Sequence, residues 1–198
     1  MLSKRLPTLA FLLSATLGFV AHAETGVVVN TEYTPIIERS NGQFVSCGIH
    51  YSAVVQGTDD VFGVQGSWNS MYYSGQHPGV LMKVLAVRPN GDQLEQVPLI
   101  EAQFSGVKFN TFDLLQEAGE DHSRLIIFTM LESMETLENY QIEMPNGFWI
   151  FLTMNGKSND FSFKLPRLDN TNGGLESLQE VANCDVSAME DWMENNIE

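Results

Sequence analysis

The sequence predicts an all-β fold, an antiparallel β-sandwich or barrel-like domain with one or two short helices near its C-terminus. Three observations lead there. Val45 to Val55 alternates apolar and polar residues closely enough to be a half-buried strand. Further short runs are rich in aromatic and β-branched residues and are bounded by Gly, Asn and Pro. No internal repeat or linker divides the chain.

In the first strand Val45, Cys47, Ile49, Tyr51, Ala53 and Val55 fall on one face, so Cys47 points inward. Val61 to Gln65 and Ser67 to Tyr73 read as two strands separated by Gly66. Val80 to Val87 is nearly continuous in apolar character, which suggests burial on both faces. Arg88-Pro89-Asn90-Gly91-Asp92 supplies turn chemistry, and Leu94 to Phe104 returns as the partner strand, with Pro98 pushing it toward a sheet edge or a bulge. Leu125 to Met130, Phe148 to Met154 and Phe161 to Leu165 follow as strands, the last two after Pro145-Asn146-Gly147 and Asn155–Asn159 turns. Leu131 to Tyr140 has apolar residues three apart and predicts a short amphipathic helix; Leu175 to Ala182 predicts another. The tail, 185–198, reads as a separate acidic segment with Asp185, Glu190, Asp191, Glu194 and Glu198, no basic residue, and an apolar edge of Met189, Trp192 and Met193.

Residues 1–23 have the pattern of a secretory signal peptide. Lys4 and Arg5 form a basic start, Leu9 to Val20 an apolar-rich middle, and Ala21-His22-Ala23 the small residues that a signal peptidase reads. Cleavage there leaves one domain, 24–198, in the periplasm or outside the cell. That compartment is oxidising, so Cys47 and Cys184 are expected to form a disulfide. No other stretch has the length and apolarity of a transmembrane helix.

Charge narrows the classes of partner. Between residues 24 and 198 there are 8 basic and 25 acidic residues, a formal net charge of −17. Nucleic acid and anionic membrane surfaces reward Lys and Arg and are therefore disfavoured, whereas a basic protein is attracted. An acidic surface also keeps an exported protein soluble.

Motifs for chemistry are sparse. His50, His77 and His122 show neither HExxH nor i, i+4 pairing, so no zinc site is expected, and no cofactor motif occurs. Asp169 to Glu180 has Asp first, Gly sixth and Glu twelfth, as an EF-hand loop does, but Gly173 and Glu176 occupy places that need a ligand and an apolar residue. A simple Asn/Gly turn accounts for it better.

Trp68 and Tyr72 share one strand face, either in the core or as exposed rings able to stack on a sugar or a protein loop. The tail either packs Trp192 on the sandwich beside the disulfide or inserts into a basic cleft. The expectation is therefore a non-enzymatic exported protein that binds or inhibits a basic envelope or secreted protein. Its contact residues would be Glu190, Asp191, Trp192, Glu194, Trp68 and Tyr72. The alternatives are a hydrolase built on His50 or His122 with carboxylates, and a carbohydrate-binding or adhesion module.

Overall fold

Two β-sheets face each other across one core, and a long C-terminal helix closes the remaining side. The computed structural model describes residues 24–73, 78–105, 116–118, 124–130, 141–142, 144–154, 161–171 and 173–196, with the backbone alone at 116–118, 124–130 and 144. In chain order the strands are β1 (Glu24–Thr25), β2 (Val27–Ser40), β3 (Gln43–Gln56), β4 (Val61–Met71), β5 (Gly79–Asn90), β6 (Gln93–Val97), β7 (Glu101–Ser105), β8 (Gln116–Ala118), β9 (Arg124–Met130), β10 (Trp149–Thr153) and β11 (Phe161–Lys164). The larger sheet runs β2-β3-β4-β5-β9-β8, with β6 beside the end of β5; the smaller runs β1-β11-β10-β7. All pairings are antiparallel except β1 with β11.

The alternation in β3 is realised. Cys47, Ile49, Tyr51, Ala53 and Val55 are buried and lie opposite Ser70, Trp68, Gly66, Val64 and Phe62 of β4. Val80, Met82, Val84 and Ala86 continue this inner face on β5, and Ala102, Phe104, Ile150, Leu152, Phe161 and Phe163 meet it from the smaller sheet. At the predicted disulfide, Cys47 is bonded to Cys184, with Cα atoms 5.7 Å apart.

Four details differ from the sequence expectation. Val61–Met71 is one strand, because Gly66 is a slot rather than a break: a Cβ there would overlap the Lys83 carbonyl and the Tyr51 hydroxyl. Tyr51 uses that slot to donate to the Lys83 carbonyl at 3.2 Å. Leu94–Phe104 divides between β6 and β7, and Pro98, which has no N–H to continue the ladder, stands where the chain leaves one sheet for the other. The segment before Val45 forms β1 and β2; β2 is an edge strand and so tolerates Pro35.

The fourth difference matters most. The short helix and the separate tail are one 23-residue helix, α1 (Gly174–Asn196). Ser177, Val181, Cys184 and Ala188 recur every three or four residues and form the stripe that packs on β2 and β3. Three of the four are small, so the helix comes close enough for Ser177 Oγ to donate to the Tyr33 carbonyl at 3.2 Å. The predicted helix at 131–140, His77, His122, the turn at 155–159 and the signal segment lie outside the described residues. No helix among the described residues is long and apolar enough to cross a membrane.

Candidate functional site

Beside the disulfide, α1 carries Asp185 into the protein, where only 8% of the residue remains exposed. Tyr72, at the end of the β4 inner face, donates its hydroxyl to Asp185 Oδ1 at 3.0 Å. Gln141 Nε2 donates to the Tyr72 hydroxyl at 2.9 Å and to Ser70 Oγ at 3.4 Å. Loss of water raises the Asp185 carboxyl from 3.8 to about 7, against the opposing effect of hydrogen bonds from Tyr72, Ser70 and Gln141. Burial, and then the nearby carboxylate, push the Tyr72 hydroxyl well above its ordinary value of 10.0. This cluster was not anticipated. In a chain with 25 acidic residues nothing local distinguishes Asp185, which is buried beside the crosslinked Cys184 on the packed side of the helix.

Two concavities flank the cluster. A pocket of about 460 Å³ is lined by Gln141, Ile142, Pro145, Leu178, Val181, Ala182, Asp185 and Val186 and is largely apolar. A groove of about 230 Å³ lies at the other end of α1, where Ala188, Asp191, Trp192, Asn195 and Asn196 meet Phe44, Tyr72 and Tyr73. Asn195 and Asn196 fold their side-chain amides back one turn and donate to the Asp191 and Trp192 carbonyls at 2.6 and 2.7 Å.

Of the residues expected to contact a partner, Asp191, Trp192 and Tyr72 come together in that groove. Glu190 and Glu194 stand exposed beside it. Trp68 does not join them. It is 1% exposed, in the core against Phe148 with ring centroids 4.9 Å apart. Tyr72 is 3% exposed, so the two rings form no outward sugar platform. Their face is the inner one because Trp68 opposes Ile49. The aromatic pair on the opposite side of the smaller sheet is Trp149 and Phe151, with centroids 6.1 Å apart and ring planes 26° apart.

His50 is half-buried on the outer face of β3, directly opposite Ser67, which in turn opposes Lys83. The three line a depression of about 220 Å³ whose described walls include no carboxylate. Ser67 Oγ accepts a hydrogen bond from Asn69 Nδ2 at 3.0 Å. Asp169, first residue of the EF-hand-like stretch, is bonded to Arg167 through both oxygens, at 3.0 and 2.8 Å. Among the described residues no three His, Cys, Asp or Glu side chains are grouped to hold a metal ion.

No protein-family model, curated protein or solved structure matches this chain. Geometry and charge therefore carry the functional argument.

Proposed function

We propose that the protein is exported and binds a basic protein through the outward face of α1 and the groove at its C-terminal end. The carrying observation is the placement of charge on that helix. Glu176, Glu180, Asp185, Glu190, Asp191 and Glu194 are its charged residues, and it has no Lys or Arg. Negative charge suits the first turn of a helix, but Glu190, Asp191 and Glu194 sit near the last, where the backbone carbonyls are themselves negative. Glu190 and Glu194 are also four apart and repel each other. Each unfavourable interaction costs a few tenths of a kcal/mol in the free protein, roughly. A cationic partner relieves all of them at once.

The groove adds shape to this charge. Trp192 is half-buried and packed against the core, so its ring is held in position before any partner arrives. A partner's Lys or Arg entering beside Asp191 would meet the aromatic side chains of Trp192 and Tyr73. Arg39 already stacks on Phe44 at 3.7 Å, an internal example of the same contact. The signal pattern of residues 1–23 supports export, and the Cys47–Cys184 disulfide accords with it.

The test is capture from a native envelope fraction with the disulfide-bonded protein, the triple variant Glu190→Lys/Asp191→Lys/Glu194→Lys, and Trp192→Ala. The expected result is one stoichiometric basic protein, released by high salt and absent from both variants. Capture unchanged by either variant would overturn the assignment of the surface. A second reading, a serine hydrolase, draws on the His50–Ser67–Lys83 row. A fluorophosphonate probe attached to Ser67 would favour it, and the absence of labelling would remove it.

A further inference from the structure

The pocket beside Asp185 is chemically unlike the groove. Its walls are the aliphatic side chains of Leu178, Val181, Ala182, Val186 and Ile142, and Asp185 and Gln141 are the polar residues of the lining. A volume of about 460 Å³ admits a chain of several carbons. The rim is apolar too: Val186 is 59% exposed and Ile142 50%.

The carboxylate receives hydroxyl and amide donors, yet among the described residues no Lys, Arg or His forms an ion pair with it. A buried carboxylate without a counter-charge is held at a high free-energy cost and either takes up a proton or attracts a cation. Gln141, whose amide nitrogen reaches Tyr72 and Ser70 and whose hydrogen bonding favours the ionised Asp185, lines the pocket beside it. An anionic acceptor beside an apolar slot suits a cationic donor with an aliphatic stem.

We propose that this pocket binds an aliphatic ammonium ion, its head against Asp185 and its alkyl chain along Leu178, Val181, Ala182 and Ile142. An ammonium supplies the missing charge and three N–H donors, while its chain covers apolar surface that water now meets. An anion is repelled by the carboxylate. An alcohol of the same length gains the apolar contact without the ion pair. The pocket is formed by the Leu178–Val186 part of α1 and the partner groove by Ala188–Asn196, so either site can fail while the other stands.

The experiment titrates the disulfide-bonded protein with n-pentylamine and with n-pentanol near pH 8, followed by calorimetry and amide chemical shifts. Pentylamine is expected to saturate one site and to bind at least tenfold more tightly than pentanol, with shifts centred on 141–142 and 178–186. Asp185→Asn should weaken the amine at least tenfold and leave pentanol unchanged. Ala182→Trp fills the pocket from an exposed helix position and should abolish both; it also decides the matter if Asp185→Asn does not fold. Nα-acetyl-lysine N-methylamide is the second arm. Binding as tight as pentylamine identifies a protein lysine as the source of the ammonium, and rejection beside retained pentylamine binding identifies a free amine. Equal affinity for amine and alcohol, or amine affinity untouched by either variant, overturns the proposal.

Discussion

Replacing Asp185 by Asn should remove one large, separable contribution to the pH dependence of stability. In the folded protein this carboxyl titrates at about 7 because burial strips its water, whereas exposed in the unfolded chain it titrates near 3.8. Between those values the folded state binds more protons than the unfolded state, so stability must fall as pH rises. The stabilisation is fully present below the unfolded value and is lost as pH rises through the folded one. The gap corresponds to roughly 4 kcal/mol. The residue is 8% exposed, so solvent screening removes little of this. Urea unfolding followed by Trp fluorescence, from about pH 4 to about pH 8, measures it. Wild type should lose roughly 4 kcal/mol more than Asp185→Asn across that range. The two proteins share every other carboxylate, so their difference cancels the general repulsion of an acidic surface. Parallel profiles would refute the argument, since they would mean that Asp185 ionises at its ordinary pH and is not desolvated.

Other substitutions test neighbouring steps. Tyr72→Phe removes a donor that favours the ionised carboxyl, so the Asp185 midpoint, read from its ¹³C carboxyl resonance, should move upward from about 7; a downward move would contradict the hydrogen bond. Cys47→Ala with Cys184→Ala opens a crosslink spanning 137 residues and should cost roughly 3–5 kcal/mol in denaturant unfolding. Gly66→Ala fills the slot used by Tyr51 and should cost roughly 2–4 kcal/mol through overpacking and the lost bond to Lys83; a neutral effect would mean the slot is not needed. Glu194→Lys should raise thermal stability by roughly 0.5–1 kcal/mol, because it replaces repulsion from Glu190 with attraction and suits the helix end. The same change should weaken capture of the basic partner.

The sequence revealed most where one side of an element faces the core. The period-two alternation of Val45–Val55 required one buried face, and β3 has it, with Cys47 turned inward to its disulfide. Strand β2 escaped notice because it is an edge strand in which only Thr31 and Tyr33 are buried, leaving little hydrophobic pattern to read. Gly66 and Pro98 were both recognised as irregular, but the irregularity depends on partners far along the chain: Tyr51 and Lys83 for the first, the second sheet for the other. Trp68 illustrates the same limit. Its alternation with Tyr72 defined a shared face, but only the pairing with Ile49 tells which face that is. The acidic composition of the tail sets it apart from the preceding residues, while its helical periodicity continues unbroken through Cys184.

Helix α1 assigns its carboxylates two physical tasks that composition cannot distinguish. Glu190, Asp191 and Glu194 lie where water and salt screen them, so each affects stability little and their joint field matters for a partner approaching from outside. Asp185, 8% exposed, is screened far less and is governed by its immediate neighbours. The disulfide separates the two regimes. By tying Cys184 to Cys47 it fixes the adjacent residue against the sheet, where no isolated charge would settle unaided. Opening the disulfide should therefore do more than loosen the helix. With Asp185 free to reach water, its midpoint should return toward 3.8, and the pH-dependent difference between wild type and Asp185→Asn should shrink with it. A difference that survived reduction would show that Tyr72 and Gln141 alone hold the carboxyl inside.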